Sequence, residues 1–165
     1  MKKVSALILV LVSVFCLFSS VQAEVNTTLL PTLVNLSGWK AEKAEGMDMV
    51  MPGMNMITAT RIYNKGDKEV TAMVMIGSEM MLAGQADFEM DSATLKMNTQ
   101  KINGFEVTTQ LDKVNNAGSI IVYLDKATNS GAYFIISFSG CDDKEALELA
   151  KKFDWKKMKK LTKGH

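Results

Sequence analysis

The stretch LKMNTQKINGFEVTTQL, residues 95–111, decides the fold class. Residues 95–102 and 105–111 suit β-strands, and they flank Asn103-Gly104. Asn-Gly readily takes the left-handed backbone that a two-residue hairpin turn demands, so this stretch reads as two antiparallel strands. Downstream, residues 119–125 and 132–139 are two further apolar strands, joined by residues 126–131. Upstream, Met47, Met49 and Met51 alternate, Pro52-Gly53 makes a turn, and Met54 and Met56 resume the alternation to Tyr63. Asn64 to Asp67 reads as a four-residue loop ahead of residues 68–76, which are rich in Val and Ile.

Helices complete the pattern. Residues 28–36 look like a short helix with Pro31 in its first turn and Gly38 after its end. Residues 78–91 have a helix-like composition, with Met80, Met81, Ala83, Phe88 and Met90 as buried candidates. Asp142 caps a final helix, with Glu145 three residues on in the manner of a capping box. Its apolar stripe runs through Leu147, Ala150, Phe153, Met158 and Leu161, interrupted at Asp154-Trp155. The expected architecture is an α+β domain: an antiparallel sheet of about six strands with an N-terminal, a middle and a C-terminal helix.

Length and composition bound the function. The chain has 165 residues, 47% hydrophobic, with 19 basic against 18 acidic groups. That suits one domain, and the charge balance argues against a nucleic-acid binder. Lys2 and Lys3, an apolar run over residues 4–18, and Val21-Gln22-Ala23 form the three parts of a signal peptide. Cleavage after Ala23 is expected, leaving residues 24–165 as a single periplasmic or secreted domain. Cys16 departs with the leader and Cys141 remains alone, so no internal disulfide is expected. The one His, His165, is the last residue, which denies the chain His-centred triads and multi-His metal sites.

Thirteen methionines are the compositional anomaly. If Pro52-Gly53 is a two-residue loop, Met51 faces Met54 and Met49 faces Met56. If residues 64–67 form a four-residue loop, Met56 faces Met75 and Thr58 faces Met73. Met47, Met49, Met51, Met54, Met56, Met73 and Met75 then share one sheet face, while Ile57, Ala59, Val70, Ala72, Val74 and Ile76 share the other. Thioethers need no deprotonation and suit Cu(I) or Ag(I). They also fill irregular cores and repack around apolar ligands. Core, pliable binding surface and soft-metal site are therefore all open readings of this face.

Two resemblances bear on these readings. The order of helix, strands, Gly-turn hairpins and Gly140-Cys141-Asp142-Asp143 opening a last helix resembles small exported bacterial α+β domains of the PsbP-like sheet type, over residues 29–161. That resemblance implies a non-enzymatic scaffold or binding domain. The segment MDMVMPGMNM, residues 47–56, resembles the Met motifs of exported copper-handling proteins, without the His that often accompanies them. It implies Met47, Met49, Met51, Met54 and Met56 as ligands for Cu(I).

Other residues offer less. Cys141 at a helix start has neither a second Cys nor an internal His to work with. Lys151, Lys152, Lys156, Lys157, Lys159, Lys160 and Lys163 form a basic end suited to solvent, to an anionic lipid surface or to an acidic partner. Asp87, Glu89 and Asp91 lack the Gly-centred loop of a calcium site. No nucleophile elbow, phosphate loop or zinc spacing is present in the sequence. The expectation is an exported, non-enzymatic binding or scaffolding protein for a small ligand or protein partner, with Cu(I) or Ag(I) binding as the alternative.

Overall fold

The computed structural model describes residues 28–51, 54–77, 89–126 and 131–163. The expected signal peptide, the expected turn at Pro52-Gly53, His165 and nearly all of the middle helix expected over residues 78–91 lie outside them.

Among the described residues, nine strands form one antiparallel sheet. They are β1 (Lys40–Ala41), β2 (Glu45–Met51), β3 (Met54–Lys65), β4 (Lys68–Gly77), β5 (Met90–Asp91), β6 (Leu95–Ile102), β7 (Phe105–Asp112), β8 (Ala117–Asp125) and β9 (Gly131–Ser139). Their order is β1-β3-β4-β9-β8-β7-β6-β5, with β2 also paired to β3. The Asn-Gly hairpin is in place: Ile102 opposes Phe105, and Asn103 and Gly104 both have positive φ. The count exceeds the expected six in part because β1 and β5 are two-residue edge pairings, too short to show any period. Met90 and Asp91 are strand, not the end of a helix.

Two helices follow the sheet where one was expected. Helix α1 (Asp143–Ala150) begins at Asp142, whose Oδ1 accepts from the Glu145 amide at 2.7 Å. Helix α2 (Trp155–Thr162) begins at Asp154, whose Oδ1 accepts from the Lys157 amide at 2.9 Å. Asp154 acts as a fresh N-cap, so the apolar stripe continues across a bend instead of along one axis. Glu145 does not complete a capping box; its carboxylate pairs with Lys68 Nζ at 2.6 Å.

The expected N-terminal helix is a single 3-10 turn, Leu30–Thr32. Leu29, Leu33 and Leu36 are buried at helix-like spacing, but the backbone after them is held by β3. Arg61 donates to the Leu33 carbonyl at 2.7 Å and to the Glu42 carbonyl at 2.8 Å, and the Tyr63 hydroxyl donates to the Val34 carbonyl at 2.8 Å. With those side chains supplying donors, the segment needs no helical ladder.

Both described helices pack on one sheet face. There Ala59, Val70, Ala72, Val74, Val107, Ile120, Val122, Phe134 and Ile136 meet Ala146, Ala150, Phe153, Trp155 and Met158 in the main core. Phe153 holds the centre, with ring centroids 4.9 Å from Phe134 and 6.1 Å from Tyr63. The opposite face carries a second, smaller cluster of Met75, Ile121, Tyr133 and Ile135, to which no helical residue contributes among the described residues.

Candidate functional site

The methionine face is built by pairing register. β2 and β3 place Met47 opposite Thr58, Met49 opposite Met56 and Met51 opposite Met54. These are the pairs expected around the Pro52-Gly53 turn. The next hairpin differs: Thr58 opposes Met75 and Thr60 opposes Met73. The connection is the two residues Gly66-Asp67, with Gly66 at φ 63° and Lys65 paired to Lys68, and not the four-residue loop expected from Asn64. Because the register moves by two residues, every side chain keeps its face. Ile57, Ala59, Val70, Ala72, Val74 and Ile76 accordingly belong to, or pack against, the main core.

Burial is graded along this face. Met75 is buried, Met56 and Met73 are partly buried against the Met75–Ile121–Tyr133–Ile135 cluster, Met49 is half-buried, and Met47 is 52% exposed. The positions of Met51 and Met54 are fixed by register; their side chains, and Met80 and Met81, fall outside the described residues. Three of the seven methionines are therefore packing groups. Met47 and Met49 of β2 stand at the margin.

Close approach of two strands explains how the cluster closes. Gly77 opposes Gly131 across β4 and β9. A Cβ on Gly77 would stand 3.4 Å from Met56 Cγ, and a Cβ on Gly131 would stand 2.2 Å from Tyr133 Oη. The Tyr133 ring thus folds back along its own strand over Gly131, leaving the residue 1% exposed. Tyr123, directly opposite, meets it edge-on at 5.7 Å and carries the Lys126 ammonium 4.6 Å above its own ring. These tyrosines were not assigned to the site from sequence. What could have found them is their parity, since Tyr133, Ile135 and Ile121 all fall on the face away from the helices.

Around the methionines the face is soft, with Glu45 at the same-side position two residues before Met47. Strand alternation turns Asp48, between Met47 and Met49, toward the other side, where it opposes Ile57. Among the described residues no group of three His, Cys, Asp or Glu is arranged to hold a metal. Opposed residues on antiparallel strands have Cβ atoms about 5 Å apart, close enough for two thioethers to reach one ion. Met49 and Met56 are such a pair, with Met47 on the same side.

The remaining candidates sit elsewhere. Cys141 is buried beside α1, and burial, reinforced by Glu145, pushes its thiol pKa up, the reverse of an activated thiol. Lys151 pairs with Glu148 at 2.7 Å, and Lys159 lies 5.8 Å over the Phe105 ring. Lys152, Lys156, Lys157, Lys160 and Lys163 are exposed with no ion pair among the described residues. Lys156, Lys157 and Lys160 share the outer side of α2, opposite Trp155, Met158 and Thr162.

No protein-family model, no curated protein and no solved structure matches the chain.

Proposed function

We propose that this chain is an exported, non-enzymatic binding protein whose contact surface is the methionine end of the sheet face turned away from the helices. The observation that carries the reading is the burial gradient from Met75 through Met56 and Met49 to Met47. A surface that begins inside a packed apolar cluster and ends half in water presents unbranched, polarizable side chains able to repack around an apolar group. The exposed lysines of α2 supply a separate contact for an anionic surface. A second reading, Cu(I) or Ag(I) held by thioethers, is favoured by the cross-strand pairing of Met49 with Met56.

One experiment addresses both. With methionine methyl groups labelled with carbon-13, the protein is titrated with decanoate in one arm and with Cu(I) against a competing chelator in another. The binding-surface reading expects decanoate to shift the Met47, Met49 and Met56 methyls while the Met158 methyl, in the main core, stays still. The metal reading expects Cu(I) to move the same three signals, and replacement of Met49, Met51 and Met54 by Leu to abolish the effect. Silence of all three methyls in both arms refutes both readings and leaves the face as packing.

A further inference from the structure

Strand β6 breaks the pattern of the main core. On β8 and β9, and on β4 beyond Lys68, the residues turned toward the helices are apolar, as in Val70-x-Ala72-x-Val74 or Phe134-x-Ile136-x-Phe138. Register puts Lys96, Asn98, Gln100 and Ile102 of β6 in line with Leu111, Thr109, Val107 and Phe105 of β7 on that same side. Three of the four β6 residues are polar. They line a cleft of about 190 Å³ between the sheet and the first turns of α1. Lys96 Nζ meets Asp143 Oδ2 at 2.6 Å across it, and Lys144 and Leu147 form the helix wall.

Thr109 belongs to the floor of this cleft. It is only 8% exposed, and its hydroxyl has no hydrogen-bond partner among the described residues. Folded proteins seldom leave such a group unpaired, so it marks a place where a partner atom is missing. The Asn98 and Gln100 amides, above it, make no side-chain hydrogen bond among the described residues, and Lys144 has no ion pair there.

We propose that this cleft binds a small polyhydroxylated monoanion of the hexuronic acid class. A side-chain amide offers a donor and an acceptor side by side, as a hydroxyl does, so Asn98, Gln100 and Thr109 together suit a run of ring hydroxyls. Asp143 neutralises Lys96, which leaves Lys144 to meet one carboxylate. At about 190 Å³ the cleft is on the scale of one small ligand. Leu147 gives the C–H side of that ring an apolar wall. This site lies on the opposite sheet face from the methionines and stands or falls independently of them.

The test follows the Asn98 and Gln100 side-chain amide signals of the nitrogen-15 labelled protein during titration with glucuronate, glucose or acetate. Glucuronate is expected to shift both amides saturably, glucose to bind about tenfold more weakly, and acetate to leave them unmoved. Asn98→Leu is expected to weaken glucuronate by about tenfold or more while leaving the thermal midpoint unchanged or raised, because Leu completes the apolar strand. Lys144→Gln is expected to erase the preference for glucuronate over glucose. Amides that respond to none of the three, that respond to acetate as to glucuronate, or that respond to glucose as strongly as to glucuronate overturn the proposal. So does a folded Asn98→Leu variant that binds glucuronate as tightly as the parent.

Discussion

Gly131→Ala places a methyl group where the Tyr133 ring already lies. The added Cβ would stand 2.2 Å from Oη, 2.5 Å from Cζ and 2.6 Å from Cε2. All three are well inside van der Waals contact, and the ring is boxed in by Tyr123 at 5.7 Å and by the Met75 cluster. Overpacking of this kind costs about 1–3 kcal/mol. For a domain of this size that lowers the thermal midpoint by roughly 3–10 °C. Without the ring, the same change removes a backbone-entropy cost of about 0.5–1 kcal/mol that glycine carries in a strand. In a Tyr133→Val background, Gly131→Ala is therefore expected to be neutral or slightly stabilising. The sign reversal is the diagnostic. Urea unfolding followed by Trp fluorescence on the four members of the cycle measures it, since Trp155 is buried in the main core. Equal costs of Gly131→Ala in both backgrounds would refute the claim that the ring occupies that space.

Three further outcomes follow from contacts described above. Arg61→Lys cannot reproduce the fork that reaches Leu33, Glu42 and Asn35; a loss of about 1–3 kcal/mol and faster proteolytic nicking near residues 30–38 are expected. Asp154→Ala removes the N-cap of α2 and is expected to cost about 1 kcal/mol, read as a lower urea midpoint with α1 intact. Burial, opposed by Arg61, pushes the Tyr63 hydroxyl up from 10.0 to about 12. The unfolded chain then releases a proton that the folded chain keeps, so stability is fully present below pH 10 and is lost as pH rises toward 12. The Cys141 thiol, raised mainly by its burial, adds a loss of the same sign from about pH 9 upward. Tyr63→Phe is expected to flatten the upper part of this profile, measured as urea midpoint against pH.

Hairpins were the legible part of the fold because their signals are local. Asn103-Gly104 fixed one register outright, and taking Pro52-Gly53 as a two-residue loop gave the Met51–Met54 pairing. Asn64-Lys65-Gly66-Asp67 was ambiguous, since Asn64, Gly66 and Asp67 all favour turns and only the left-handed Gly66 shows that the tight form is used. The parity argument survived that error. Residues 28–36 misled because Leu29, Leu33 and Leu36 mimic a helical stripe, while the donors that replace the helix, Arg61 and Tyr63, lie some thirty residues away. The sequence also half hides which face the helices cover: β4 and β9 bury residues on both sides along most of their length, and only Glu69, Thr71, Ser137 and Ser139 at one end mark the outside. For the candidate site, positions were readable and exposure was not. Register placed the methionines together, but the burial that separates Met75 from Met47 depends on Tyr133, Ile135 and Ile121, which come from strands far along the chain.

The place of β9 in the sheet sets an order of assembly. It is the last strand along the chain among the described residues, yet it lies between β4 and β8, pairing Val70 with Phe138 on one side and Ile120 with Ile136 on the other. Until it emerges, β4 and β8 each present an open row of amides and carbonyls, and the first hairpins have no link to the later ones. Completion of the sheet thus waits for β9 and must close a long loop before the pairing repays it. A product terminated before Gly131 would carry two unprotected edges at what should be its centre, each a template for another chain, and would aggregate where the full-length chain folds.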